Sequence, residues 1–385
     1  MFTIANGIIL KGLDLTPVKA NIVVDEGIIA DISKDSLEGK IIDAEGSIIC
    51  PTFLNAHTHI GDSIIKDEGY GLSLSEMVKP PSGVKHRALQ AADDEDIIES
   101  MKIAMWEMYE SGISHFIDYR EGGIDGVKLL LKASKDIPIT PIILGRDDSF
   151  YGDNPDLSRV KTQIRKILKI ADGIAPSGFG EISDEVADII VSECNKSGKI
   201  SSIHAGESLS NQIESLNSYG LSEIGRGVNH NFSQLVHCTN PQNNDLELIK
   251  DSFSSIVVCP RANASLNVGI VPLNKILAMG IKPLLGTDNL MINSPNMFRE
   301  LEFTLKIMSV RHNSYLNPCE VLKMATTNSC EFISSKSYID ILQPAQFIVI
   351  KQLSKDPYLS IINRSQTKNI LYTFDKIYPN NILDI

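Results

Sequence analysis

Eight short apolar runs in the middle of the chain each give way to a polar residue, near His57, Arg120, Arg146, Ser177, His204, His237, Arg261 and Asp288. Helix-length segments of mixed polar and apolar periodicity, among them 94–111, 183–196 and 294–310, separate many of these runs. Strand and helix alternating eight times predict an α/β fold of one kind, a (β/α)8 TIM barrel over 51–334, with its reactive end where the strands terminate. The two ends of the chain read differently. Runs 21–25, 28–32 and 41–48, then 345–350 and 370–374, are β-rich and broken by turns, so 1–50 and 335–385 together predict one small β-sandwich module.

Composition narrows the partners. Of the 385 residues, 43% are hydrophobic and 22% charged, which suits a large buried core. A formal net charge of -12 argues against nucleic acid and anionic membrane as partners, because both are drawn by surplus Lys and Arg. No run of about eighteen apolar residues is present, and Met1-Phe-Thr-Ile-Ala-Asn6 lacks the basic-then-apolar layout of a signal peptide. A soluble, cytoplasmic protein with reduced thiols is the expectation, since the six cysteines show no C-x-x-C spacing.

The strand ends carry the chemistry. In Pro51-Thr-Phe-Leu-Asn-Ala-His57-Thr-His59 two imidazoles stand two residues apart, on one face of a strand, where both reach a common point. His204 opens His-Ala-Gly-Glu207, His237 ends Gln234-Leu-Val-His, and Asp288 follows Pro283-Leu-Leu-Gly-Thr287. A lone histidine at such a place is most often a satisfied core residue. Here half of the eight histidines of the chain stand at predicted strand ends, which points to a shared metal site. Neutral imidazoles with a carboxylate suit a divalent ion, Zn2+ first and Fe2+ second.

The order H-x-H, H-x-x-E, H, D on such a barrel resembles the metal-dependent amidohydrolase superfamily, and within it the cytosine deaminase and chlorohydrolase-like branch. Cys259-Pro-Arg-Ala-Asn263, Gly286-Thr-Asp288-Asn289 and Asn293-Ser-Pro-Asn-Met297-Phe extend the likeness over nearly the whole chain, while Thr52 stands where the branch usually has glycine. The resemblance implies that His57, His59, His204 and Asp288 hold one divalent metal ion. It also implies that Glu207 moves a proton to a ring nitrogen, that His237 orients the attacking water, and that Asp288 accepts a proton from it. No lysine stands near Ser177 at the fourth strand, where binuclear members place a carboxylated one, so a single ion is expected. The activity implied is hydrolysis of a C–N bond other than a peptide bond, as a deaminase of a nucleobase, nucleoside or pterin-like small molecule. Release of an amine, carboxylate or halide from an amide, amidine or halogenated ring is the second reading, and a non-catalytic binding protein on this fold the third. Homo-oligomers are common in the branch, so self-association is compatible with it.

Arg120, Arg146 and Arg261 are less expected at strand ends. Guanidinium groups bind carboxylate or phosphate as a fork, so an anionic substituent on the substrate is one reading, with Lys85 and His86, in the segment 61–92, as further contacts. The other is that each arginine pairs with a nearby acid such as Glu121, Asp147 or Asp148.

Overall fold

The structure, a computed structural model, describes residues 1–78, 83–333 and 337–374. Two compact units are present, one of residues 1–54, 107–115 and 296–385, the other of 55–106 and 116–295.

Within the first unit both termini build sheets. A four-stranded sheet runs in the order Ile28–Ser33, Asn21–Asp25, Phe2–Ala5, Lys40–Asp43, and a five-stranded one in the order Ile370–Phe374, Phe347–Lys351, Ser47–Pro51, Ile8–Lys11, Thr16–Lys19. Glu26 and Gly27 both have positive φ (47° and 75°), as the tight hairpin between the first two of these strands requires. The apolar faces of the two sheets meet: Ile4, Ile22 and Val24 share one core with Ile49, Phe347, Val349 and Phe374. Burial of each such side chain contributes about 1.5–3 kcal/mol, which holds the two chain ends in a single sandwich.

The barrel strands, numbered in chain order, are β1 (Phe53–His59), β2 (Ile113–Arg120), β3 (Thr140–Gly145), β4 (Gly173–Ile174), β5 (Ile200–Ala205), β6 (Gln234–His237), β7 (Ser255–Val258), β8 (Leu284–Leu285) and β9 (Asp288–Asn289). They form one sheet in the order β8-β7-β6-β5-β4-β3-β2-β1-β9. The registers recorded across it, from β3 to β8 and between β9 and β1, are all parallel. The eighth strand position is divided. β8 pairs with β7, Gly286 and Thr287 interrupt, and β9 pairs with β1, so one stretch of chain touches both ends of the sheet and closes the ring. Asn55 fastens this seam, its Nδ2 donating to Thr287 Oγ1 at 2.7 Å and its Oδ1 accepting from the Thr287 N–H at 2.9 Å. Gly286 is required here because a Cβ would lie 2.8 Å from both Cβ and N of His57.

Helices Asp94–Glu110, Asp184–Ser197 and Met297–His312 lie within a few residues of the segments read from periodicity. The described parts of segment 61–92, 61–78 and 83–92, are more ordered than an open loop. It holds a 3-10 turn, Ile60–Ile65, and helices Leu74–Val78 and Val84–Ala91, packed through Ile65 and Met77 on Leu266 and Met291. The first part of the expected strand 41–48 lies in Lys40–Asp43 and its end in Ser47–Pro51, the two separated by a turn. Among the described residues none of the six cysteines is in a disulfide, five of them are buried, and no helix is long and apolar enough to cross a membrane.

Candidate active site

Period-two alternation sends His57 and His59 to one face of β1, and both rings are buried. Asp118 on β2 pins the backbone between and after them, its Oδ1 accepting from Thr58 Oγ1 at 3.0 Å and from the Ile60 N–H at 2.6 Å. His204 reaches the same point from β5, His237 from the end of β6 and Asp288 from β9. His57 Nε2 lies 3.2 Å from His204 Nε2 and 3.1 Å from Asp288 Oδ1, while His59 Nε2 lies 3.6 Å from that same oxygen. Tyr119 walls one side, its ring centroid 4.4 Å from that of His57 and its hydroxyl hydrogen-bonded to Ser202.

His237 and Asp288 adopt left-handed backbone conformations, with φ of 80° and 61°. For residues with a Cβ each such conformation costs of order 1–3 kcal/mol and persists where the surroundings enforce it. The strain here falls on two of the converging side chains.

Burial holds the imidazoles of His59 and His204 well below the usual histidine range, the neighbouring Lys85 and His57 respectively adding to the effect. Asp288 goes the other way. Burial alone would raise its pKa, yet the hydrogen bond and charge of His57 keep it ionised and far below the ordinary carboxylate value. The arrangement therefore sets an ionised carboxylate near the neutral imidazoles of His59 and His204. The Nε2 atoms of His57 and His204, 3.2 Å apart, have room for one proton at most between them, so at least one lone pair faces the common point. Ligand atoms of His57, His59 and His204 lie within 4.8 Å of one another, as do those of His57, His237 and Asp288. This donor set fits a metal cofactor.

Asn263 decides how His237 takes part. Thr239 Oγ1 donates to Asn263 Oδ1 at 3.0 Å, which turns the amide so that its Nδ2 donates to His237 Nδ1 at 3.1 Å. With Nδ1 accepting, the ring proton sits on Nε2, which faces Glu207 Oε2 at 3.6 Å. Glu207 lines the same cavity as His59, His204, His237 and Asp288. Burial first, then the charges of Asp288, Glu223 and Glu181, push its carboxyl well above the usual range, toward the protonated form.

The cations singled out in the sequence divide. Lys85 bridges Asp62 at 2.8 Å and Glu121 at 2.7 Å, Arg120 pairs with Glu121 at 3.0 Å, and Arg146 pairs with Glu121 while its other arm donates to Ser177 Oγ at 3.1 Å. Three cations thus converge on one buried carboxylate, which also stands 3.6 Å from His59 Nδ1. Burial opposes the charge on Glu121, but Arg146, Lys85 and Arg120 hold its pKa well below the ordinary value. Asp147 caps the turn at Ser149, its Oδ1 accepting from the Ser149 N–H at 3.0 Å. Arg261 is not at a strand end: it lies in helix Pro260–Ser265, beyond β7, and donates to the Ser294 carbonyl at 3.2 Å. Pro260, a typical first residue of a helix, is the sequence signal for that. His86 bonds the Val78 carbonyl at 3.1 Å. Lys85 and Arg146 line the cavity, whereas Arg120, Arg261 and His86 are absent from its described lining. The guanidinium groups of Arg120 and Arg146 are therefore engaged inside the protein, not displayed as free forks for an anion.

Replacing Glu121 with Gln leaves Lys85, Arg120 and Arg146 facing Asp62 alone across a buried space. Breaking a buried ion pair from one side costs about 3–5 kcal/mol. A shift of the urea midpoint equivalent to that loss is expected, and an unshifted midpoint would show that the cluster does not hold these strand ends together.

The cavity encloses about 1030 Å3. Beyond the strand ends its wall includes helix Leu209–Tyr219 and Arg226, whose guanidinium lies between the rings of Tyr219 (3.8 Å) and Phe179 (4.3 Å). Nothing in the residue pattern singled these out, because they come from helices and a loop and carry no metal-ligand spacing.

The amidohydrolase family profile matches residues 48–376. The chain belongs to the amidohydrolase family. A protein of Methanothermobacter thermautotrophicus whose name contains the word aminohydrolase is 46% identical over 377 residues, spanning 98% of each chain. The 5-methylthioadenosine/S-adenosylhomocysteine deaminase of Pyrococcus furiosus is 25% identical over 87% of this chain and 82% of its own. Among solved structures, an atrazine chlorohydrolase from Arthrobacter aurescens complexed with zinc superposes with a TM-score of 0.81 at 16% identity, over 97% of this chain and 96% of the other. At that identity the likeness is one of fold.

Proposed function

We propose that this protein is a mononuclear, zinc-dependent deaminase of an N-heterocyclic small molecule, with His57, His59, His204 and Asp288 holding the ion. The observation that carries the reading is Glu207: a cavity-lining carboxyl, driven toward its protonated form, beside a carboxylate that stays ionised. Two acids whose surroundings push their pKa values apart suit an acid and a base in one reaction. A divalent cation held by these residues would make a water acidic enough to react near neutral pH. Asp288 is placed to take one proton from the attacking water and return it to the departing amine, while Glu207 gives its proton to the ring nitrogen and recovers one from the attacking oxygen, so that the C–N bond is exchanged for C–O and ammonia leaves. His237, proton-bearing at Nε2, donates to the oxygen that attacks and fixes its direction. Tyr119, fully buried, packs edge-on against the His57 ring and backs the histidines.

The name of the Pyrococcus relative favours a 6-aminopurine nucleoside as the ring to try first. Purified protein should release ammonia from at least one member of a panel of aminopurines, aminopyrimidines and pterins, with about one equivalent of zinc per chain. Release of amine or halide without ammonia would move the reading to the related hydrolases of amides or halogenated rings.

A further inference from the structure

The pairing of β5 with β6 runs on past both strands, into the turns that bear the reactive side chains. The Cys238 N–H donates to the Ala205 carbonyl at 3.0 Å and the Asn240 N–H to the Gly206 carbonyl at 2.9 Å, so 204–207 and 237–240 lie side by side. Thr239, in the second stretch, sets His237 through Asn263. Asn240, the next residue, bonds the other acid-base candidate. Its Nδ2 donates to the Glu207 carbonyl at 2.7 Å and to the Val268 carbonyl at 2.9 Å, which uses both amide hydrogens and fixes the orientation of the amide. The same turn is gripped a second time, because the buried carboxylate of Glu223, in helix Glu223–Asn229, accepts from the Gly206 N–H at 3.0 Å. Gln212 joins the two grips, its Nε2 donating to the Asn240 carbonyl at 2.9 Å and its Oε1 accepting from the Glu223 N–H at 2.8 Å. Gly206, with φ of 67°, makes the left-handed turn between them.

We propose that Asn240 is a positioning residue for Glu207, holding the main chain of that residue so that its carboxyl stands where proton transfer to the ring needs it. The proposal rests on the reading of Glu207 as the group that moves the proton. The Glu207 carboxyl meets the His237 ring at 3.6 Å, too far for a hydrogen bond, so its place is set by the main chain that carries it. Misplacing a reacting group by about 1 Å costs of order 10²-fold in rate. One short stretch, 237–240, thus serves both acid-base candidates, His237 through Thr239 and Asn263 and Glu207 through Asn240.

Asn240→Ala tests this on the zinc-loaded enzyme, assayed by ammonia release from adenosine or whichever ring of the panel is turned over. The kcat should fall about 10- to 100-fold, with KM within about twofold of wild type and zinc still bound at the wild-type level. Repeated in the Glu207→Gln background, the substitution should change kcat by less than about twofold, because no proton remains to be placed. An equal fall in both backgrounds would mark a general disturbance of the barrel and overturn the proposal. An unchanged kcat, an effect confined to KM, or loss of zinc would overturn it too. Asn240→Ser, which keeps a small polar side chain, takes the place of the alanine variant if that one does not fold. If no ring releases ammonia, the deaminase reading has failed, and crystal structures of the wild type and the variant decide the positioning. A Glu207 carboxyl displaced by about 1 Å supports it, and superimposable carboxyls refute it.

Discussion

Glu207→Gln should reduce turnover by about 10²–10⁴-fold while leaving zinc content and the unfolding midpoint unchanged. The amide matches the carboxyl in shape and cannot deliver a proton. Glu207 is three residues beyond His204 and lines the cavity together with His59, His204, His237 and Asp288, and among the described residues its carboxyl pairs with the His237 ring at 3.6 Å. Its removal therefore breaks no ion pair that holds the fold together. That separates a chemical role from a structural one: loss of activity with intact metal and stability is the signature of the former. Full activity in this variant would remove Glu207 from the mechanism and with it the main support for deamination.

Replacing a ligand should have the opposite signature. His204→Ala removes a donor that lies 3.2 Å from His57 Nε2, on a strand that faces β1 across the ring of strands. Zinc affinity should fall by more than the roughly 10–100-fold that loss of an outer-shell partner costs at such sites. The purified variant should carry well under one equivalent of metal by elemental analysis. Zinc should raise the melting temperature of the wild type and fail to raise that of the variant, since a ligand that binds only the folded state stabilises it by mass action. Wild-type metal content in His204→Ala would exclude His204 from the ligand set.

The parts of the site legible in the sequence were those set by local periodicity. His57 and His59 share a face because strands alternate, and His204, His237 and Asp288 follow runs short and apolar enough to be buried strands. The hairpin around Glu26 and Gly27 and the strands Asn21–Asp25 and Ile370–Phe374 were legible for the same reason. What escaped was set by encounters between distant segments. Arg120 and Arg146 do stand at the ends of β2 and β3, but the sequence left open whether they face a ligand or an acid, because Lys85 comes from a helix more than thirty residues upstream. The hydrogen bond to His237 comes from Asn263 in helix Pro260–Ser265, so spacing does not reveal which ring nitrogen keeps the proton. Arg261 was misplaced by one element because Pro260 ends the strand reading early and begins a helix.

The divided eighth strand gives the protein an order of completion. The seam that closes the ring and the carboxylate beside His57 are the same few residues, 286 to 289, joined to Asn55 and Thr58 across more than two hundred positions of chain. A nascent or truncated chain ending before Asp288 contains all four imidazoles and the Glu207 carboxyl, yet has neither a closed barrel nor the fifth converging group. The proposed constellation is thus finished only when the barrel is, and an incomplete product carries the histidines without the carboxylate of Asp288.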